Sequence, residues 1–169
     1  MTKFLLSLHV LAAIIAVGPV TVAASMFPPS ARKALAEPGS ERAAAAVRLL
    51  HRICRVYGGV GIAVPVLGFA TAMSMGVLND AWLIVSMLLT ALAAMVLLAL
   101  VLPRQEEILA GLGGSATGSP TTGTADTATG TAVDTRATAR LAMFTGVFNL
   151  LWATVTILMI VRPGSTTGA

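Results

Sequence analysis

His9 is the side chain whose type and position offer the sharpest chemistry in this sequence. It lies within residues 4–25, a stretch that contains no Lys, Arg, Asp or Glu. An imidazole in an apolar setting can ligate copper or haem iron, and methionine thioethers suit Cu(I). Methionines at comparable positions in three other apolar stretches complete a candidate metal set of His9, Met75, Met87 and Met159.

A plainer hypothesis explains the same residues by packing. A neutral histidine inside a helix bundle can hydrogen-bond across helices, here to Thr156 or to a backbone carbonyl. Methionine is flexible and commonly fills gaps in apolar packing. The sequence leaves both explanations of His9 open.

The other histidine, His51, does not join this set. It lies in a basic segment about 30 Å from His9 along the membrane normal, at roughly 1.5 Å per helical residue. One haem iron ligated by both histidines is therefore disfavoured, whereas a haem held by His9 and a methionine stays open. The sequence shows no Ser/His/Asp set, no phosphate-cradling glycine loop and no paired carboxylates in an apolar stretch, which favours a non-enzymatic protein.

Four apolar stretches must position these side chains. Each lacks Lys, Arg, Asp and Glu, and together they are 4–25, 56–77, 81–102 and 141–161. A helix of about 20 residues crosses a hydrocarbon core of roughly 30 Å. Only 11% of the residues are charged, against about 25% in soluble domains. The fold class predicted is an all-α, four-helix transmembrane bundle, with one membrane domain over 1–162 and a short outer tail over 163–169.

The basic residues predict the orientation of the four spans. Nine of the 11 Lys and Arg residues lie in the first and third connections: Arg32, Lys33, Arg42, Arg48, Arg52, Arg55, Arg104, Arg136 and Arg140. By the positive-inside rule these connections are cytoplasmic and both termini are outside. The alternative of a signal peptide cleaved after Ala24 would place the first basic segment outside, so a first span is favoured. The basic residues behind the net charge of +4 lie next to membrane spans, so this charge does not indicate a nucleic-acid partner.

The two cytoplasmic connections have different compositions. In the first, 37–39 breaks the chain, Ser40 is a candidate N-cap, and 41–55 is compatible with an amphipathic helix on the inner leaflet. Its arginines at helical spacing predict contacts with anionic lipid headgroups: Arg48, Arg52 and Arg55. The second connection is almost entirely small and polar over 113–138, which predicts a disordered loop.

Small and polar residues at three- and four-residue steps predict where the helices pack. Such residues let backbones approach closely in lipid, and the candidates are Gly58, Gly61, Pro65, Gly68 and Asn149. Pro19 and Pro65 also predict bends in spans one and two. The short connection at 78–80 predicts that spans two and three form an antiparallel hairpin.

The first two spans resemble a known group of proteins. The run Leu8-His9-Val10-Leu11, followed by Val17-Gly18-Pro19, is similar to the first helix of small bacterial four-span proteins. These include the copper-resistance protein D-like group and the integral membrane family called domain of unknown function 2269, whose layout the arginine-rich entry 48–55 into span two also resembles. The resemblance implies a multi-pass protein of the bacterial inner (plasma) membrane. In the broader group, intramembrane histidines are connected with copper uptake or haem, and only His9 matches that pattern.

Three functional hypotheses follow in order. The first is a non-enzymatic integral membrane protein that acts through contacts with lipid, including anionic headgroups at the inner face, or with protein in homo- or hetero-oligomers. The second is a haem- or copper-associated protein centred on His9. The third is a transporter subunit whose pathway passes Asn149 and Thr145.

Overall fold

Six α-helices and one π-helical segment make up the computed structural model, which describes residues 2–115 and 126–164, with side chains described for 2–113 and 136–164. In chain order they are α1 (Thr2–Ala36), α2 (Glu41–Val60), α3 (Ala63–Met75), α4 (Ala81–Met95), the π segment (Val96–Val101), α5 (Leu102–Ser115) and α6 (Asp126–Val161). The described parts contain no strand. The predicted all-α four-helix bundle is confirmed.

These elements form four rods long and apolar enough to cross a membrane. Their bounds are Thr2–Ala36, Glu41–Met75, Ala81–Gly113 and Arg136–Val161. Large apolar side chains cover the outside of the bundle, among them Ile14, Leu88 and Leu150, which are 66%, 67% and 69% exposed. Water would make such a surface unfavourable, whereas lipid matches it. The chain is therefore a multi-pass membrane protein.

The connection between α1 and α2 follows the predicted pattern. The helix α1 ends at Ala36, Gly39 adopts a φ of 88°, and α2 begins at Glu41. The Ser40 hydroxyl caps α2 by accepting a hydrogen bond from the backbone N–H of Ala43 at 3.4 Å. We call the end of the bundle that carries this connection the basic end, and the end that carries Thr2, the 76–80 turn and Arg162 the terminal end.

The second rod bends at Pro65 as predicted, whereas α1 runs as one helix from Thr2 to Ala36 through Pro19. Pro65 has no N–H to donate to the carbonyl of Gly61. The N–H of Val64 donates to that carbonyl instead at 3.1 Å, and the chain turns at Gly61 and Ile62 between α2 and α3. The third rod departs from regular α-helical geometry in the π segment. The side chains of Val96, Leu97 and Val101 in this segment are buried.

The helix α1 is the centre of the packing. It contacts α2 most extensively, then α3 and α6, while α6 also packs against α4 and the π segment. By contrast α3 and α4, although joined by a short turn, make few contacts, and the second and third rods meet mainly where α2 packs against α5. The short turn joins α3 and α4 as the predicted antiparallel hairpin, but it holds only the ends of the two helices together.

Most of the buried apolar core lies toward the basic end. Its members from α1 and α2 include Phe27, Ala31, Val47 and Cys54, all fully buried, and it continues through the π segment to Leu141 and Phe148 of α6. A separate small cluster at the terminal end contains Ala72, Trp82 and Leu83.

Two predictions about the basic end concern α2 and the connection before α6. The amphipathic segment 41–55 does not lie as an isolated surface helix, because Ala43 and Val47 are buried in the shared core and α2 packs along α1. The predicted disordered loop 113–138 falls partly on residues 116–125, outside the described residues. Beyond them the backbone is already helical from Asp126, as extending an existing helix costs less than starting one.

Candidate functional site

The His9 ring is held between two features of α3. Its Nδ1 lies 3.0 Å from the carbonyl oxygen of Val64, so that Nδ1 carries the proton and donates it. The ring also packs against Gly68, where an added methyl group would lie 2.9 Å from Cε1 of the imidazole. Only glycine lets the imidazole approach the α3 backbone this closely. His9 is 8% exposed, and the predicted hydrogen bond to a backbone carbonyl is confirmed.

The other predicted partner of His9 is engaged elsewhere. The hydroxyl of Thr156 donates to the carbonyl of Trp152 at 2.9 Å, one turn back in its own helix. Span one thus attaches to span two through His9, and the ring acts as a polar tie inside an apolar bundle.

The methionines of the candidate metal set are spread over three helices. Met75 lies seven residues beyond Gly68, about 10 Å farther along α3. Met87 is 44% exposed and lies on α4, which has few contacts with α1. Met159 is half-buried near the end of α6. Among the described residues, no group of three or more His, Cys, Asp or Glu side chains could hold a metal ion.

The candidate helix-packing residues have separate surroundings. Gly58 faces the third rod, since an added Cβ would lie 3.3 Å from Cδ2 of Leu97, and Gly68 faces α1. Gly61 is at the bend, where the nearest atoms are backbone atoms of its own chain segment. Pro65 is exposed. These candidate packing residues therefore do not form one continuous helix–helix interface.

Asn149 marks a groove on the outside of the bundle, between α1 and α6. Its Nδ2 donates to the hydroxyl of Ser25 at 3.0 Å. The groove has a volume of about 340 Å³ and is lined by four residues of each helix: Ser25, Pro28, Pro29, Arg32, Ala142, Thr145, Gly146 and Asn149. Two buried polar atoms there lack a hydrogen-bond partner, Oγ1 of Thr145 and Oδ1 of Asn149.

The prolines of α1 add polarity to this groove. Pro29 has no N–H with which to pair the carbonyl of Ser25 in a regular helix. At the other end of the groove, Nε of Arg32 donates to the carbonyl of Pro28 at 3.4 Å. This bond draws the guanidinium back along α1 toward the groove. The groove thus combines one cation, a carboxamide and two hydroxyls.

The three candidate headgroup residues line an exposed side of α2. Arg48, Arg52 and Arg55 are all exposed, and Leu49 beside them is 59% exposed. Arg48 pairs with Glu41 at 3.4 Å on the surface, an arrangement that stabilises little. No acidic side chain in the described parts of the chain pairs with Arg52 or Arg55.

A second polar group, which the sequence reasoning missed, ties α2 to α5. Gln105 is fully buried; its Oε1 lies 3.1 Å from Nδ1 of His51 and its Nε2 lies 3.6 Å from Sγ of Cys54. Nε2 of His51 lies 3.8 Å from Oε1 of Glu106. The signal available in the sequence was a glutamine immediately after an apolar span, which is too common to single out.

Comparison of the chain with protein-family models, with curated proteins and with solved structures finds no match in any of the three. The resemblance to small bacterial four-span proteins therefore stays a hypothesis. What the protein does must be argued from its own geometry.

Proposed function

We propose that this chain is a non-enzymatic, multi-pass protein of the bacterial plasma membrane that acts through lipid and protein contacts. Its basic end faces the cytoplasm, and its arginines bind anionic headgroups. The observation that carries the proposal is the exposed, largely unpaired set of Arg48, Arg52 and Arg55 on α2, next to the start of the second apolar stretch. Each exposed basic residue near an anionic leaflet contributes about 1 kcal/mol of binding.

Orientation is tested by cysteine labelling in intact cells. Cys54 is the sole cysteine, so a Cys54→Ala background can carry one new thiol at Leu49 or at Asn79. A membrane-impermeant maleimide should label the Asn79→Cys variant in intact cells and the Leu49→Cys variant only after permeabilisation. The reverse pattern would contradict the proposed orientation.

Headgroup binding is tested by spin-label measurements in reconstituted vesicles. Spin-labelled phosphatidylglycerol should be enriched over phosphatidylcholine around the wild type, and a triple Arg48→Gln, Arg52→Gln, Arg55→Gln variant should lose that enrichment. Arg162→Gln, at the opposite end, is the matched control. Equal enrichment in the triple variant and the wild type would overturn the role of α2.

The second candidate is a haem- or copper-associated protein centred on His9. One observation favours it: donation from Nδ1 to a carbonyl leaves Nε2 available, as in histidines that ligate metals. The candidate sulfur ligands do not fit well, because Met87 is exposed on α4 and Met75 lies about two turns beyond Gly68. Elemental analysis of the purified wild type and a His9→Ala variant tests it. Stoichiometric copper or iron lost in the variant would replace the first proposal.

A further inference from the structure

We infer that the groove between α1 and α6 is a binding site for one anionic phospholipid, with its phosphate at Arg32 and its glycerol-ester region at Thr145 and Asn149. The inference deepens the proposed function by naming a lipid class and a site separate from the arginines of α2. It rests on the basic end facing an anionic leaflet.

The buried polar atoms of the groove require a ligand of mixed polarity. Thr145 is 3% exposed and its hydroxyl has no partner, and Oδ1 of Asn149 is also unpaired. Leaving such atoms unpaired in an apolar medium costs free energy. A hydroxyl donates or accepts, and the Asn149 carboxamide can turn to present either of its ends. This pair therefore suits the ester carbonyls of a lipid and the water that accompanies them.

The cation lies where a phosphate would be. Ser25 is the last residue of the first apolar stretch, and Arg32 follows about 10 Å farther along α1. Arg32 lines the groove together with Ala142, next to the start of the fourth apolar stretch, so the cation lies at the headgroup end of the groove. Since Nε of Arg32 bonds to the carbonyl of Pro28, the guanidinium leans toward the groove and its two NH₂ groups are free to bind an anion.

The shape of the groove favours a lipid over a transmembrane helix. Its volume of about 340 Å³ is typical of small-ligand pockets of roughly 300–1,000 Å³. Ala142 and Gly146 of its α6 wall are exposed, so the groove opens sideways to the bilayer and a diacyl lipid can enter with its chains outside. A helix in the same place would leave Arg32 beside apolar side chains.

Native mass spectrometry of the delipidated protein, titrated with phosphatidylglycerol, tests the inference. The wild type should bind one molecule tightly, and Arg32→Gln should weaken that binding about fivefold, the equivalent of about 1 kcal/mol. Arg162→Gln is the matched control, because it removes an arginine at the opposite end of the bundle that does not line the groove. Soluble glycerol phosphate should not compete, as the acyl chains hold the lipid at the bundle.

Gly146→Leu provides a second variant that should fold. An added Cβ at Gly146 meets no atom within 4 Å, so a side chain can start there without a backbone clash, and leucine should occupy the groove and abolish the tight site. Unchanged binding in both Arg32→Gln and Gly146→Leu would overturn the inference. So would a change of monomer–dimer equilibrium in Gly146→Leu without a change in lipid binding, since the groove would then hold a second copy. If only the triple arginine variant of α2 loses lipid enrichment, the groove inference fails and the proposed function stands.

Discussion

The two ends of the bundle are built in different ways. At the basic end, four helices share a continuous apolar core that includes Phe27, Val47 and Leu141. At the terminal end, α3 and α4 make few contacts, and the buried cluster is limited to a few side chains around Trp82. Its polar contacts are the bond of His9 to Val64 across two helices and, within the turn, the bond from Nε1 of Trp82 to Asp80 at 3.0 Å.

This difference shows how a short connection and a long helix contribute to packing in lipid. The turn at 76–80 holds α3 and α4 together at their ends, whereas α1 and α2 extend beyond their apolar stretches and pack along their length. Because helices in lipid gain little from the hydrophobic effect, close packing and hydrogen bonds decide which pairs associate. The terminal end therefore depends on a few specific contacts.

Matched leucine-to-alanine substitutions should show the difference between the two ends most clearly. Leu141→Ala at the basic end should lower the free energy of unfolding by about 3 kcal/mol and Leu83→Ala at the terminal end by about 1 kcal/mol, as a cavity costs most where neighbours cannot move in. Leu141 is fully buried and Leu83 is 6% exposed. Unfolding by SDS in dodecyl maltoside micelles measures both, and equal losses would mean that the two ends pack alike.

Gly68→Leu tests whether His9 is a tie at the terminal end. The side chain must displace an imidazole that lies 2.9 Å from where the new Cβ would be, which should cost about 2 kcal/mol of overpacking. Gly59→Leu is the control, because an added Cβ there meets nothing within 4 Å. The same SDS titration applies; a loss of stability in both variants would point to a general effect of leucine in the second rod.

Gln105→Met tests the polar contact between α2 and α5 at the basic end. Methionine keeps the shape of the side chain but leaves Nδ1 of His51 without its acceptor, which should cost about 1–2 kcal/mol. Adding His51→Phe should recover part of the loss. A double-mutant cycle over the two positions measures the coupling, and a coupling near zero would show that the hydrogen bond at 3.1 Å contributes nothing to stability.

Arg162→Gln should have the smallest effect. The guanidinium carbon lies 5.7 Å from the centre of the Trp82 ring, and a partly exposed cation–π contact contributes about 0.5 kcal/mol. Arg162→Lys should retain most of it. Near-ultraviolet circular dichroism also follows this contact, through the signal of Trp82. The other tryptophan, Trp152, packs against Phe148 of α6. An unchanged spectrum and stability in Arg162→Gln would remove this contact from the account of the terminal end.

Several structural features could be predicted from local sequence. The Ser40 cap and the bend at Pro65 both follow from one residue or a short pattern, because the hydrogen bonds involved are local. The bond of His9 to a carbonyl was one of two alternatives. Its acceptor, Val64, is 55 residues away, and no pattern within either span specifies it.

The sequence by itself determined that four helices cross a membrane, since an apolar stretch of about 20 residues without charge has one stable solution in lipid. It also determined the Ser40 cap of α2 and the bend at Pro65. Only the tertiary structure decided that α1 is the central helix, that Gln105 pairs with His51, and that Asn149 and Arg32 share a groove. The physical reason is that interhelical contacts depend on the rotation, tilt and register of each rod, and many small residues in this chain allow several of these arrangements.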